Sequence, residues 1–127
     1  MKPAAFDYVR ADSLDEALAG LHQHGQDARI LAGGMSLLPM LNMRLAKPAV
    51  LIDIMRIPAL AAIRSEDALV VPAGVRQAQV LARPGLASEV PLLAAAMPWI
   101  GNVQTRSRGT VCGSAAHADP SAEIPLC

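Results

Sequence analysis

The stretch Leu31-Ala32-Gly33-Gly34-Met35-Ser36-Leu37 decides how the chain is read. On its N-terminal side, Ala28-Arg29-Ile30-Leu31-Ala32 is a short apolar run suited to a strand, and Gly33-Gly34 ends it in a tight turn. On its C-terminal side, Ser36 opens a helical pattern through Leu37, Leu38, Leu41 and Leu45. Pro39 falls in the first turn of that pattern, where proline is tolerated, and Lys47-Pro48 closes it. Val50-Leu51-Ile52-Asp53-Ile54 then reads as a buried strand. Upstream, Ser13 and Glu16 have capping-box spacing, and Leu14, Leu18 and Leu21 recur at helical spacing with Ala17 beside them. Gly25 is a natural stop, so the spacing predicts a helix from Leu14 to about His24. Residues 14 to 54 thus read as helix, strand, glycine turn, helix, strand, with the strands near 28–31 and 50–54 parallel.

The glycine turn also has the character of an anion-binding backbone. A strand, two glycines and a serine at a helix start place several free N–H groups together, and the missing Cβ atoms let a phosphate approach. An ordinary strand-to-helix turn has the same spacing. The turn is not a G-x-G-x-x-G fingerprint, and it lacks the lysine of a P-loop. A second segment of this kind is Arg108-Gly109-Thr110-Val111-Cys112-Gly113-Ser114, which offers two glycines, two hydroxyls and an arginine. Alone it is a weak signal. Together the two segments could supply the donors that a pyrophosphate needs from more than one side.

Beyond residue 54 the texture changes. Ala61 to Arg64 and Ala68 to Val71 read as a hairpin about Ser65-Glu66-Asp67. Gln77 to Leu81 predicts a helical turn or two, and Leu92 to Met97 a small helix. Gly101 to Gly109 is polar. Asp119-Pro120 has the character of an N-cap followed by a first-position proline, which puts Glu123 in the first turn of a closing helix. The chain is expected to stop before its domain is complete, because that helix would begin only seven residues from the end.

Composition narrows the partners. The 127 residues make one domain at most, and with 53% hydrophobic but only 2% aromatic residues the core must come from Ala, Leu, Val, Ile and Met. Eleven basic and eleven acidic residues cancel, with no basic patch or aromatic ladder for nucleic acid. No run reaches the ~18 apolar residues of a membrane span, and Met1 to Arg10 lacks the pattern of a signal peptide. A cytoplasmic location is expected. Cys112 and Cys127 have neither metal-ligand nor disulfide-framework spacing, and His22 and His24 read as helix-end residues. Cys112 reads as a small buried hydrophobe rather than a nucleophile. His117 reads equally as a ligand contact or a structural histidine.

A family resemblance rests on two ordered motifs. Ala32-Gly33-Gly34-Met35-Ser36-Leu37-Leu38-Pro39, followed by Met43-Arg44-Leu45 and Leu51-Ile52-Asp53-Ile54, resembles the flavoprotein (medium) subunits of molybdenum hydroxylases, of the carbon monoxide dehydrogenase and xanthine dehydrogenase type. The run from Gln104 to Ser114, continued by His117-Ala118-Asp119-Pro120, Glu123 and Pro125, resembles that family's second flavin loop. The resemblance covers essentially the whole chain.

It implies an α+β fold: a small N-terminal α/β subdomain over residues 1–54, then the first part of a second subdomain over 55–127 with a mixed or antiparallel sheet. It implies FAD as cofactor between them. Ala32, Gly33, Gly34, Met35, Ser36 and Leu37 would wrap the pyrophosphate. Thr110, Val111, Cys112, Gly113 and Ser114 would form the second set, with Ile100, His117 and Glu123 near the cofactor. No metal site is implied on this chain. The partners implied are an iron–sulfur subunit and a molybdopterin subunit, with electrons passing through FAD to NAD or another acceptor. Two departures stand out. Cys112 occupies the first of two positions where the family usually has adjacent glycines, so crowding of the backbone, or a blocked positive φ, is expected there. The family's flavoprotein is also more than twice as long. The competing readings are a non-catalytic remnant or interaction module unable to hold FAD, and an unrelated nucleotide-phosphate binder.

Overall fold

The computed structural model describes all residues from Met1 to Cys127. Its first half is a three-stranded parallel sheet: β1 (Asp7–Arg10), β2 (Ala28–Leu31) and β3 (Val50–Asp53), in the order β1-β3-β2. Asp7 and Ala28 both register with Val50. The central strand is apolar because it is covered on both faces, and Val50, Leu51 and Ile52 are buried.

Helix α1 (Leu14–His24) crosses between β1 and β2. Ser13 caps it by accepting the Glu16 N–H, and the Glu16 carboxylate in turn accepts the N–H of Asp12. Gly25 closes it at φ +52°. The face turned to the sheet differs from the leucine stripe: Leu14 and Leu18 are exposed, while Ala17 is buried and Leu21 packs on the core. Small residues explain this. A Cβ at Gly20 would stand 2.9 Å from Ile52 Cδ1, so the helix lies too close to β3 for large side chains at the contact.

Helix α2 (Leu37–Asn42) follows the glycine turn. It ends three residues before the expected Leu45, because Arg44 enters the left-handed region at φ 58° and Leu45 N–H turns back to the Met40 carbonyl. Downstream, β4 (Arg64–Ser65) and β5 (Leu69–Val70) form an antiparallel hairpin shorter than the sequence suggested. Then come α3 (Gln77–Leu81), α4 (Leu86–Glu89), α5 (Pro91–Ala96), α6 (Val103–Arg108), α7 (Val111–His117) and α8 (Glu123–Leu126). Most of the polar segment 101–109 and of the second glycine segment after it is therefore helical. Asn102 and Thr110 cap α6 and α7, accepting the N–H groups of Thr105 and Gly113. The last helix starts at Glu123 rather than Pro120. Asp119 accepts the Ser121 N–H in a local turn instead of capping a helix.

Two apolar cores form. One joins Ala11, Ala17, Ala28, Val50, Ile52, Ile54 and Ile57; the other joins Val75, Val80, Leu86, Leu93, Met97, Ile100 and Ile124. The glycine turn and the α6–α7 junction meet at the seam between them.

Candidate functional site

The seam closes by backbone contact. A Cβ on Gly33 would lie 2.3 Å from the Arg108 carbonyl oxygen and 2.7 Å from Gly109 Cα, so only glycine permits this approach. Gly34 has φ +72°, which the turn from strand into helix requires. Two hydrogen bonds tie the far wall together: Gln77 N–H donates to the Gly109 carbonyl at 2.8 Å, and the Arg76 guanidinium donates to the Ser107 carbonyl at 2.6 Å. Arg76 and Thr110 also form an isolated antiparallel bridge.

The seam opens into a cavity of about 580 Å³, within the size range of small-molecule sites. Ala32, Gly33, Gly34, Met35, Ser36 and Leu37 line one side. Thr110, Gly113, Ser114 and His117 line the other, and Ile100 and Glu123 also belong to the lining. Val111 and Cys112 stand off this wall. Val111 packs on the second core, and the half-buried Cys112 thiol donates to the Val71 carbonyl at 3.1 Å. Burial raises the pKa of that thiol, which keeps it protonated near neutral pH. The expected conflict at Cys112 does not arise, because the residue sits in the first turn of α7 and is not among those with positive φ.

The glycine turn is rich in free donors. The backbone N–H groups of Gly33, Gly34, Met35, Ser36 and Leu37 donate to no backbone carbonyl, and the Ser36 hydroxyl caps nothing in its own helix. Gly113 answers to a different contact: a Cβ there would lie 2.7 Å from the Thr110 hydroxyl oxygen that caps α7. Sequence reasoning passed over Arg29, Gln77, Thr105 and Gly109 as lining residues. Gly109 lies inside the second glycine segment, Arg108 to Ser114. Gln77 carried no local signal, since its place depends on a contact with a residue far along the chain. No group of three or more His, Cys, Asp or Glu side chains is arranged to hold a metal ion.

The match to known proteins is with a cofactor family. Residues 4–127 match the profile of the FAD-binding domain in molybdopterin dehydrogenase. The chain belongs to this family. The 6-hydroxypseudooxynicotine dehydrogenase complex subunit alpha of Paenarthrobacter nicotinovorans is 46% identical over 99% of the chain and 43% of its own length. The carbon monoxide dehydrogenase medium chain of Hydrogenophaga pseudoflava is 44% identical over 98% of the chain and 44% of its own length. The solved structure of the Hydrogenophaga pseudoflava enzyme, in a form lacking the Mo-pyranopterin moiety, superposes with a TM-score of 0.93 at 44% identity, covering 98% of this chain and 44% of that one. Quinoline 2-oxidoreductase from Pseudomonas putida 86 gives 0.91 at 40% identity, with 98% of this chain and 44% of that one covered. The α+β architecture is thus that of the family's FAD-binding domain, and FAD is the family's cofactor. The chain spans less than half the length of these relatives.

Proposed function

We propose that this chain grips the pyrophosphate of FAD as part of the flavin subunit of a molybdenum-hydroxylase-type dehydrogenase. The observation that carries the reading is the row of free N–H groups from Gly33 to Leu37, facing a second wall across a cleft that glycine alone can close. Such a row suits a diphosphate, because backbone donors hold anions without net positive charge. Balanced overall charge therefore does not argue against it. Ser36 adds a hydroxyl from the first wall, and Thr110 and Ser114 add hydroxyls from the second. In this role Met35, Leu37 and Ile100 shield the cofactor from water, while Glu123 accepts hydrogen bonds from its sugar hydroxyls.

FAD when bound supplies the redox chemistry, taking electrons from iron–sulfur centres of a partner and passing them to NAD or another acceptor. The chain's own residues bind and orient. The partners in this reading are an iron–sulfur subunit and a molybdopterin subunit, consistent with relatives whose names mark them as subunits or medium chains. No helix is long and apolar enough to cross a membrane, and we place the assembly in the cytoplasm.

The test is titration of the purified chain with FAD, followed by flavin absorbance and fluorescence. Saturable binding with a yellow protein fraction is the expected result. A folded chain that takes up no flavin would favour the reading as a remnant or interaction module.

A further inference from the structure

Gln77 is one of two buried polar residues of the fold, only 4% exposed, and its Oε1 is sealed from solvent without a hydrogen-bond partner. A buried acceptor without a donor is unfavourable, and native proteins hold only a few per hundred residues, each calling for an explanation. The other buried polar residue, Thr110, caps a helix and so is satisfied. Gln77 has no such explanation.

Its position gives one. The side chain lines the cavity beside the residues already described. Its amide lies against Gly109: a Cβ there would sit 3.2 Å from both Cδ and Nε2. Gly109 is also the residue on which Gly33 closes. The amide therefore stands at the seam where both glycine segments meet. The terminal torsion of a glutamine is broad and soft, so rotation about it can bring the oxygen round to the cavity that the side chain lines.

We propose that Gln77 is a ligand-binding residue whose Oε1 accepts a hydrogen bond from a sugar-type hydroxyl of the bound cofactor, on the ribityl chain or on the ribose. This rests on the FAD reading of the cleft. The unpartnered atom is an acceptor, so the group that satisfies it must be a donor. Ionised phosphate offers none, whereas the polyol and sugar portions beside it do.

The experiment compares wild type with Gln77→Met, which keeps the length of the side chain and removes both polar atoms. Thermal melting is followed without ligand, and binding is measured with FAD, FMN and ADP. The expected result is unchanged or raised stability without ligand, because the unsatisfied oxygen is gone, together with FAD binding weakened about ten-fold. A parallel loss for FMN assigns the ribityl hydroxyls; a parallel loss for ADP assigns the ribose. Equal FAD affinity in the two proteins overturns the proposal. So does a Met variant that melts well below wild type without ligand, since the amide would then be structural. Failure of the wild type itself to bind FAD would instead remove the reading of the cleft on which the proposal stands.

Discussion

Gly33→Ala is the substitution on which the site's geometry bears most directly. The added methyl would meet the Arg108 carbonyl oxygen at 2.3 Å and Gly109 Cα at 2.7 Å. Both are backbone atoms, so no side-chain rotation relieves the clash. The seam must open, or the turn must shift away from α6. Overpacking of this kind costs about 1–3 kcal/mol, which corresponds to a fall of roughly 4–12 °C in melting temperature for a domain of this size. Opening the seam also parts the two walls of the cleft. If one charge-assisted contact to the pyrophosphate is lost, FAD affinity falls by about 1.5–3 kcal/mol, or roughly ten-fold or more. The assay is a thermal melt paired with flavin titration. Gly25→Ala is the control: it sits at φ +52° with nothing within 4 Å of the added Cβ, at the far end of α1. With ψ at −125°, Gly25 lies outside the left-handed helical basin, so that variant should lose about 1–3 kcal/mol through backbone strain and keep its flavin affinity. A Gly33→Ala protein that melts and binds FAD like wild type would refute the close-approach argument.

Three further outcomes are expected. Gly34→Val should abolish most flavin binding while α1 stays folded by circular dichroism, since Gly34 has φ +72° and its Cβ would press on Leu38 at 3.0 Å. Cys112→Gly should leave FAD affinity within about two-fold and lower stability by a few tenths of a kcal/mol, because glycine ranks only slightly below cysteine in helix propensity, read from denaturant melts. Finally, the exposed Cys127 should react with iodoacetamide near neutral pH well before Cys112 does. Burial raises the Cys112 pKa, so its thiolate forms only as pH climbs past the ordinary thiol range. Because the folded pKa lies above the unfolded one, any stability tied to the protonated thiol is present below the unfolded value and is lost as pH rises through the folded one. Mass spectrometry of the labelled peptides across a pH series checks the order.

Local chemistry made some elements legible and hid others. The boundaries of α1 could be read because Ser13, Glu16 and Gly25 form a cap and a stop within the sequence itself. Strands β2 and β3 announced themselves as apolar runs. Strand β1 did not: all four of its residues are exposed, so Asp7 to Arg10 carries no burial pattern, and its place depends on pairing with β3. Helices α6 and α7 were hidden by their polar and glycine content, although Asn102 and Thr110 each precede by three residues the N–H they cap. In the cleft, the two glycine segments were visible as motifs. That Gly33 touches Gly109, and that Gln77 lies against Gly109, follows from the packing of two separate cores and leaves no trace in local spacing.

That packing also bears on how a ligand would act on the fold. Each wall of the cleft is anchored in its own apolar core, one built on β3 and the other on Val75, Val80 and Met97. At the glycine turn the contact between the walls is made by backbone: Gly33 lies against Arg108 and Gly109, with no room for a side chain between them. A contact without side chains buries little apolar surface, so it contributes less cohesion than either core. A diphosphate held by N–H groups of one wall and hydroxyls of the other would bridge this weak line directly. Ligand at a hundred times its dissociation constant adds about 2.7 kcal/mol to stability. Unfolding of either core also releases the ligand, so β3 amides that exchange through unfolding should slow by up to this amount. Residues 33–37 and 109–114, which in the free chain exchange through opening of the seam, should slow as well when FAD is added. Exchange at 33–37 and 109–114 as fast with FAD as without it would mean that the ligand does not bridge the seam.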